Sequence, residues 1–197
     1  MKKELKVWEK VGEPTVLAGK YGSKLISQNF KNPKTGKEEE YVLYTKKDWS
    51  TVLPVTSDGK VVSILQYKQG CNQITRELPG GTGEFDNEPP ADVMRRELKE
   101  ETGYEAGSVI DLGPGQYPMT RETLRQMHPF LALDCKKVAE QAVDETEEIE
   151  VEIISLQEWI KLCHTKVIEP GAIVTTFRAL PYLKKHFSLD LNSLFSV

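Results

Sequence analysis

The sequence predicts an α/β protein, and three observations carry that expectation. Short apolar runs separated by turn residues fill the first seventy positions. A glycine-rich stretch then leads into a periodic segment of helical length. A second set of strand-like runs follows, and two more helix signals close the chain. With 197 residues there is enough chain for one sizeable core and an additional N-terminal sheet.

Taken in order, strands are expected over residues 6–8, 15–17, 24–27 and 41–44, with Asn32-Pro33-Lys34-Thr35-Gly36 as a turn between the last two. Residues 51–55 and 60–67 flank Ser57-Asp58-Gly59, and Asp-Gly between two apolar runs predicts a hairpin. A helix is expected from about Pro89 to Thr102. Pro89 and Pro90 suit its first turn, where no N–H is needed. Asn87 is the expected N-cap and Gly103 the residue just past the end. Strands are expected again near 109–112, 129–134 and 148–154. Ser155-Leu156-Gln157-Glu158 is a capping box that opens a helix with Trp159 in the core. Pro170 opens a last helix through Ile173, Phe177 and Leu180, which Pro181 should kink or end.

Composition narrows the function. Hydrophobic residues make up 39% and charged residues 28%, as in globular proteins generally. A net charge of −4 argues against a general grip on nucleic acid, which needs a basic surface. It leaves room for a small phosphorylated ligand held through metal ions. No run approaches the ~18 apolar residues of a membrane span, and the first residues lack the apolar core of a signal peptide. Cys71, Cys135 and Cys163 are widely spaced and the three histidines are scattered, which argues against structural zinc. The cysteines fit reduced thiols, Cys135 as a small core residue, so a cytoplasmic protein without membrane or nucleic-acid partners is expected.

The most informative segment is Arg96-Glu97-Leu98-Lys99-Glu100-Glu101-Thr102-Gly103-Tyr104. Spacings of three and four place Glu97, Glu100 and Glu101 on one helix face. Like charges so placed oppose the helix by roughly 0.2–0.5 kcal/mol per pair, so something positive should lie over them. Either a hard divalent cation does this, or Arg95, Arg96 and Lys99 do so on a solvated face. Upstream, Glu77-Leu78-Pro79-Gly80-Gly81-Thr82-Gly83-Glu84 supplies glycines that permit close backbone approach.

This loop and helix resemble the Nudix box. Its second half matches at every fixed position, from Glu88 through seven residues to Arg96-Glu97 and on to Gly103, with Tyr104 in the last apolar place. The first half departs, because six residues separate Gly81 from Glu88 where the family has five. The resemblance implies a Nudix-type α/β/α sandwich with a mixed sheet over residues 49–197. It also implies a small N-terminal antiparallel sheet over 1–48 that serves dimerisation. Gln66-Tyr67-Lys68, Glu77-Leu78-Pro79-Gly80-Gly81, Phe130-Leu131-Ala132 and the acidic run from Asp144 to Val151 are similar to the branch that cleaves ADP-ribose and nucleoside-diphosphate sugars. Pro118 keeps one residue of that branch's Ser-Pro-Gly loop, while Tyr117 and Met119 replace its neighbours.

What the resemblance implies for the site is specific. Mg²⁺, with Mn²⁺ as a second possibility, would be held by Glu97, Glu101, the Gly81 carbonyl, Glu100 and Glu147. Glu145 would act as the base. Arg96 would stay off the metals and fix the helix by pairing with a carboxylate, Glu77 being one candidate, and Glu88 would steady the loop. Tyr67, Lys68, Glu77, Pro118 and Arg121 would contact substrate, with Arg125 a further possibility. Trp8, Tyr41, Tyr44, Trp49 and Tyr67 are the aromatics available to flank a base, and a homodimer is expected. Competing readings are a Nudix enzyme for another nucleotide, such as a dinucleoside polyphosphate or coenzyme A, and a catalytically silent nucleotide sensor. For every aromatic named, and for the acidic loop, an ordinary structural or solvated role is the alternative.

Overall fold

The structure is a computed structural model, described here over residues 4–189. By contacts the chain divides into two units. Unit 1 comprises Met1–Lys47 and Tyr117–Gln126, and unit 2 comprises Asp48–Gln116 and Met127–Val197.

Unit 1 is a three-stranded antiparallel sheet of β1 (Glu9–Lys20), β2 (Ser23–Lys31) and β3 (Glu38–Thr45), in that order. Strand β1 starts only at Glu9, so the expected strand at 6–8 does not form and those residues lead into it. The turn at Asn32–Gly36 forms as expected. Asn32 Oδ1 accepts the Lys34 N–H at 2.9 Å, and the Asn32 carbonyl accepts that of Gly36 at 2.8 Å. Segment 117–126 attaches to β3: the Tyr44 N–H donates to the Glu122 carbonyl at 2.7 Å, and the Leu124 N–H to the Tyr44 carbonyl at 2.9 Å.

Unit 2 is built on a mixed sheet in the order β7-β4-β10-β9, from β4 (Trp49–Pro54), β7 (Gly80–Thr82), β9 (Ser108–Asp111) and β10 (Met127–Leu133). Strands β4 and β10 run parallel, with Val52 opposite Phe130 and Leu53 opposite Leu131. Successive strand residues face opposite sides. Val52, Phe130 and Ala132 pack with Met94 and Leu98 of helix α1 (Pro90–Thr102) on one side. Leu53 and Leu131 pack on the other with Trp159 of α2 (Leu156–Thr165) and Ala179 and Leu183 of α3 (Pro170–Phe187). This is the expected α/β/α sandwich, and it explains why β4 and β10 read as unbroken apolar runs.

A second sheet, β12-β5-β6, combines β5 (Lys60–Lys68), β6 (Gln73–Glu77) and β12 (Ile149–Ser155), all antiparallel. The expected hairpin at Asp58-Gly59 is corrected here. The turn closes, with the Gly59 N–H on the Thr56 carbonyl at 3.0 Å and one bridge from Val55 to Val61, but then β4 and β5 enter different sheets. Two short strands, β8 (Tyr104–Glu105) and β11 (Lys136–Lys137), pair beyond α1.

The helix ends carry two confirmations and one correction, at Asn87, and Pro181 lies within α3. Gly103 ends α1 in the left-handed region at φ 76°, its N–H on the Lys99 carbonyl at 2.8 Å. Ser155 Oγ accepts the Glu158 N–H at 3.2 Å, as the capping box requires. Asn87, however, does not cap α1. The cap position is Pro89, with no side-chain hydrogen bond, and Asn87 instead turns the loop at φ 64°. Pro181 does not end α3, which runs on to Phe187. Its ring is exposed, and so is Phe177 one turn before it, so water can reach the carbonyl that loses its N–H partner. Trp159 is fully buried, with its Nε1–H on Thr176 Oγ1 at 2.8 Å, and Cys135 is a buried free thiol, both as expected.

Candidate active site

The site is assembled where β7 runs against the face of α1. Pairing with β4 sets Gly80 opposite Thr51 and Gly81 opposite Ser50. A Cβ on Gly81 would overlap the carboxylate of Glu97, which would have to swing aside, so the glycine lets the strand and this side chain meet as they do. One turn on, the buried Glu101 accepts the Gly80 N–H at 2.8 Å. A Cβ on Gly80 would collide with the Ser50 carbonyl and lie 2.8 Å from the Thr51 Cα, both backbone. Gly80→Ala is therefore expected to destabilise the protein by about 1–3 kcal/mol, read as a lower denaturant midpoint at unchanged slope.

Burial drives the electrostatics. Desolvation pushes the Glu101 carboxyl up to about 8, with Glu97 and Glu147 adding to the rise while the Gly80 N–H and Lys68 oppose it. Desolvation likewise pushes Glu97 up to about 7, against the pull of Arg96 and with Glu100 and Glu147 reinforcing it. Glu147 thus acts on both carboxylates from the acidic loop before β12. A turn shapes that loop, with the Glu147 N–H on the Asp144 carbonyl at 2.9 Å, and Glu145 is exposed upon it.

Arg96 binds the flank of the cluster. Its Nη1 lies 2.9 Å from Glu100 Oε2 and 3.0 Å from Glu97 Oε1, and its Nη2 donates to the Thr82 carbonyl at 3.2 Å. Glu88, its side chain only 6% exposed, sits 3.6 Å from Arg96 Nε and accepts the Glu84 N–H at 2.8 Å. Arg96 does not pair with Glu77, which corrects that expectation. Glu77 lies on β6, where Lys68 Nζ holds it at 3.2 Å and Thr75 Oγ1 donates to it at 2.5 Å.

Against this geometry, a NUDIX domain model matches residues 46–173. The chain belongs to the Nudix family. It is 30% identical, over 68% of its length and 70% of the relative's, to the ADP-ribose pyrophosphatase of Bacillus subtilis (strain 168). A solved structure described as an ADP compounds hydrolase superposes with a TM-score of 0.80, covering 95% of this chain and 100% of that one at 18% identity. That likeness is one of fold.

The other Nudix site residues named from the sequence divide between the two units. Within unit 1, Trp8, Tyr41 and Arg121 line one cavity of about 500 Å³. Trp8 stands edge-on to Tyr41, with ring centroids 6.1 Å apart, and Phe30 does so at 5.7 Å. Pro118 belongs to the same unit and is exposed. Trp49 lies in unit 2 at the start of β4, opposite Thr82. Tyr67 is exposed, pairs across the sheet with Ile74, and donates to Asn72 Oδ1 at 2.7 Å. Among the described residues no three acidic, histidine or cysteine side chains already converge as a metal cage. Arg96 shares Glu97 and Glu100, and the carboxylates repel one another.

Two residues of the site were missed. Gln141 Nε2 donates to the Glu101 carbonyl at 2.7 Å and to that of Ile149 at 3.1 Å, which ties the acidic loop to the end of α1. Glu169 caps α3 by accepting the N–H groups of Gly171 and Ala172 at 2.9 and 2.5 Å. Desolvation first, then Glu77, raises its pKa, while its own backbone bonds and Lys68 lower it. An isolated Gln in a polar loop carries no sequence signal. The Glu-Pro-Gly at a helix start carried one for Glu169.

Proposed function

We propose that this Nudix protein hydrolyses the diphosphate bond of ADP-ribose or a related nucleoside-diphosphate sugar, giving a nucleoside monophosphate and a sugar phosphate. The observation that carries the reading is the half-buried Glu97 and the buried Glu101 against Gly80 and Gly81, with Glu147 acting on both, in a chain similar to an ADP-ribose pyrophosphatase.

The donor set fits a hard divalent cation, Mg²⁺ or Mn²⁺. All candidate donors are oxygens, the half-buried Glu97 and the buried Glu101 are carboxylates pushed toward neutrality, and the missing Cβ of Gly81 leaves its backbone open to them. Glu97, Glu101, Glu100, Glu147 and the Gly81 carbonyl would hold it. Bound there, the cation supplies a water of lowered pKa and neutralises the diphosphate. The remaining work falls to the chain. Glu145 orients the attacking water and takes its proton. Arg96 fixes Glu97 and Glu100 on the helix. Lys68, steadied by Glu77, meets the diphosphate, and the exposed Tyr67 beside it contacts substrate. Trp8, Tyr41 and Arg121 receive the nucleoside, while Trp49 and Pro118 border the substrate. The N-terminal region, residues 1–48, pairs two chains into a cytoplasmic homodimer through its sheet of β1, β2 and β3. Its face bearing the exposed Leu25 and Val42 supports that role.

The raised carboxyls make a pH prediction. Each has an ordinary value of 4.5, against about 7 for Glu97 and about 8 for Glu101 in the fold. Their contribution to stability is therefore fully present below 4.5 and lost as the pH rises through 7 and 8. The metal-free protein is expected to melt at lower temperature across that window, and added Mg²⁺ to raise Tm more at its alkaline end, where the proton has already left. A melting temperature independent of Mg²⁺ at every pH would remove the metal assignment.

The reaction itself is tested by monophosphate release from ADP-ribose, ADP-glucose, GDP-mannose, diadenosine polyphosphates and coenzyme A, with Mg²⁺ and with chelator. Chelator-sensitive cleavage of ADP-ribose is expected to lead the panel. Preference for a polyphosphate or coenzyme A would replace the substrate. No cleavage by a folded, nucleotide-binding protein would point to a sensor.

A further inference from the structure

The cavity of unit 1 carries more charge than a stacked base requires. Lys10 and Arg121 line it together with Trp8, Phe30 and Tyr41. Lys10 stands directly across the sheet from Phe30, on β1 against β2. Both cations are exposed, and no carboxylate among the described residues engages either one. Their surroundings are basic as well. Unit 1 holds thirteen of the chain's 26 basic residues but only seven of its 30 acidic ones, whereas unit 2 holds the acidic excess.

Three aromatic rings offer faces and edges to a planar ring, and a volume of about 500 Å³ suits a nucleoside. A neutral nucleoside leaves two cations on the lining without a counter-charge. A phosphate on its ribose supplies one, because a phosphomonoester accepts several charge-assisted hydrogen bonds at once. The basic excess of unit 1 adds to the attraction.

We infer that the cavity of unit 1, between Trp8, Phe30 and Tyr41, binds a nucleoside end that carries its own ribose phosphate, with Lys10 and Arg121 as the groups that read that phosphate. The inference rests on the nucleotide-hydrolase reading and extends it. The ligand class that this cavity takes is an adenosine bearing a further phosphomonoester at the 2′ or 3′ position, bound in addition to, and not in place of, the adenosine of ADP-ribose.

The test is calorimetric titration of the whole protein, in chelator, with 5′-AMP, adenosine 2′,5′-bisphosphate and adenosine 3′,5′-bisphosphate. One bisphosphate is expected to bind about tenfold or more tighter than AMP, a preference that fades in high salt. The position that wins says which class of compound is the source. Lys10→Met and Arg121→Met, each with an unchanged melting temperature, are expected to bring the ratio within about twofold of one. Trp8→Ala is expected to weaken all three ligands together. Equal binding of AMP and both bisphosphates overturns the inference, and so does a preference that survives both cation variants. Since ADP-ribose hydrolysis is measured separately, an enzyme that cleaves ADP-ribose but shows no such preference loses this inference and keeps its reaction.

Discussion

Glu97→Gln and Glu101→Gln are each expected to lower kcat/KM for ADP-ribose by about 10²-fold or more. Stabilisation of phosphoryl charge by a bound cation amounts to several kcal/mol, and each ~1.4 kcal/mol is tenfold. Gln keeps the shape and still offers one acceptor, so the Gly80 N–H that Glu101 accepts at 2.8 Å retains its partner. It cannot supply the charge. The same change should leave the metal-free protein as stable or more stable above pH 8, because a carboxyl pushed up to about 8 is held charged there against its burial. A loss of turnover with a maintained or raised Tm separates a functional from a structural role. Turnover within a few-fold of the parent in both variants would overturn the metal-ligand assignment.

Glu145→Gln is expected to lower kcat by about 10²–10⁴-fold with little change in KM or in the Mg²⁺ concentration for half-activity, as loss of a general base does. Glu147→Gln should behave differently. Glu147 acts on both Glu97 and Glu101, so its neutralisation should raise the Mg²⁺ concentration needed while sparing the metal-saturated rate more. Both residues sit on one exposed turn, and the charge of Glu147 is the one that raises both Glu97 and Glu101. The opposite pattern, with the metal requirement following Glu145, would exchange the two roles.

Much of the carboxylate cluster was legible before any coordinates, because a helix fixes the geometry of its own surface. Spacings of three and four residues put Glu97, Glu100 and Glu101 on one face wherever the helix lies, and Arg96 reaches Glu100 as an i, i+4 neighbour. Gly103 and Ser155 were legible for the same reason, since a cap is settled within four residues. Asn87 was not. In the loop before Glu88, Asn87 takes up a left-handed turn instead of capping. Arg96 pairs with Glu84 and Glu88 of that loop, and not with Glu77, because β6 belongs to the other sheet and turns Glu77 toward Lys68.

By itself the sequence determined the class of fold, the helix that bears the carboxylates, and the acidic loop that follows. These depend on periodicity, caps and motif spacing, all of which act over a few residues. Only the tertiary structure decided which strands lie side by side. Asp58-Gly59 reverses the chain, but β4, buried on both faces, lies between β7 and β10 while β5 pairs with β12 and β6. Only the tertiary structure brought Gly81 onto Glu97, tied Gln141 to the end of α1, and gathered Trp8, Phe30, Tyr41 and Arg121 around one cavity. Those contacts join residues separated by 11 to more than 100 positions. They are set by which apolar faces must be buried together, a requirement of the whole core that no short stretch of sequence contains.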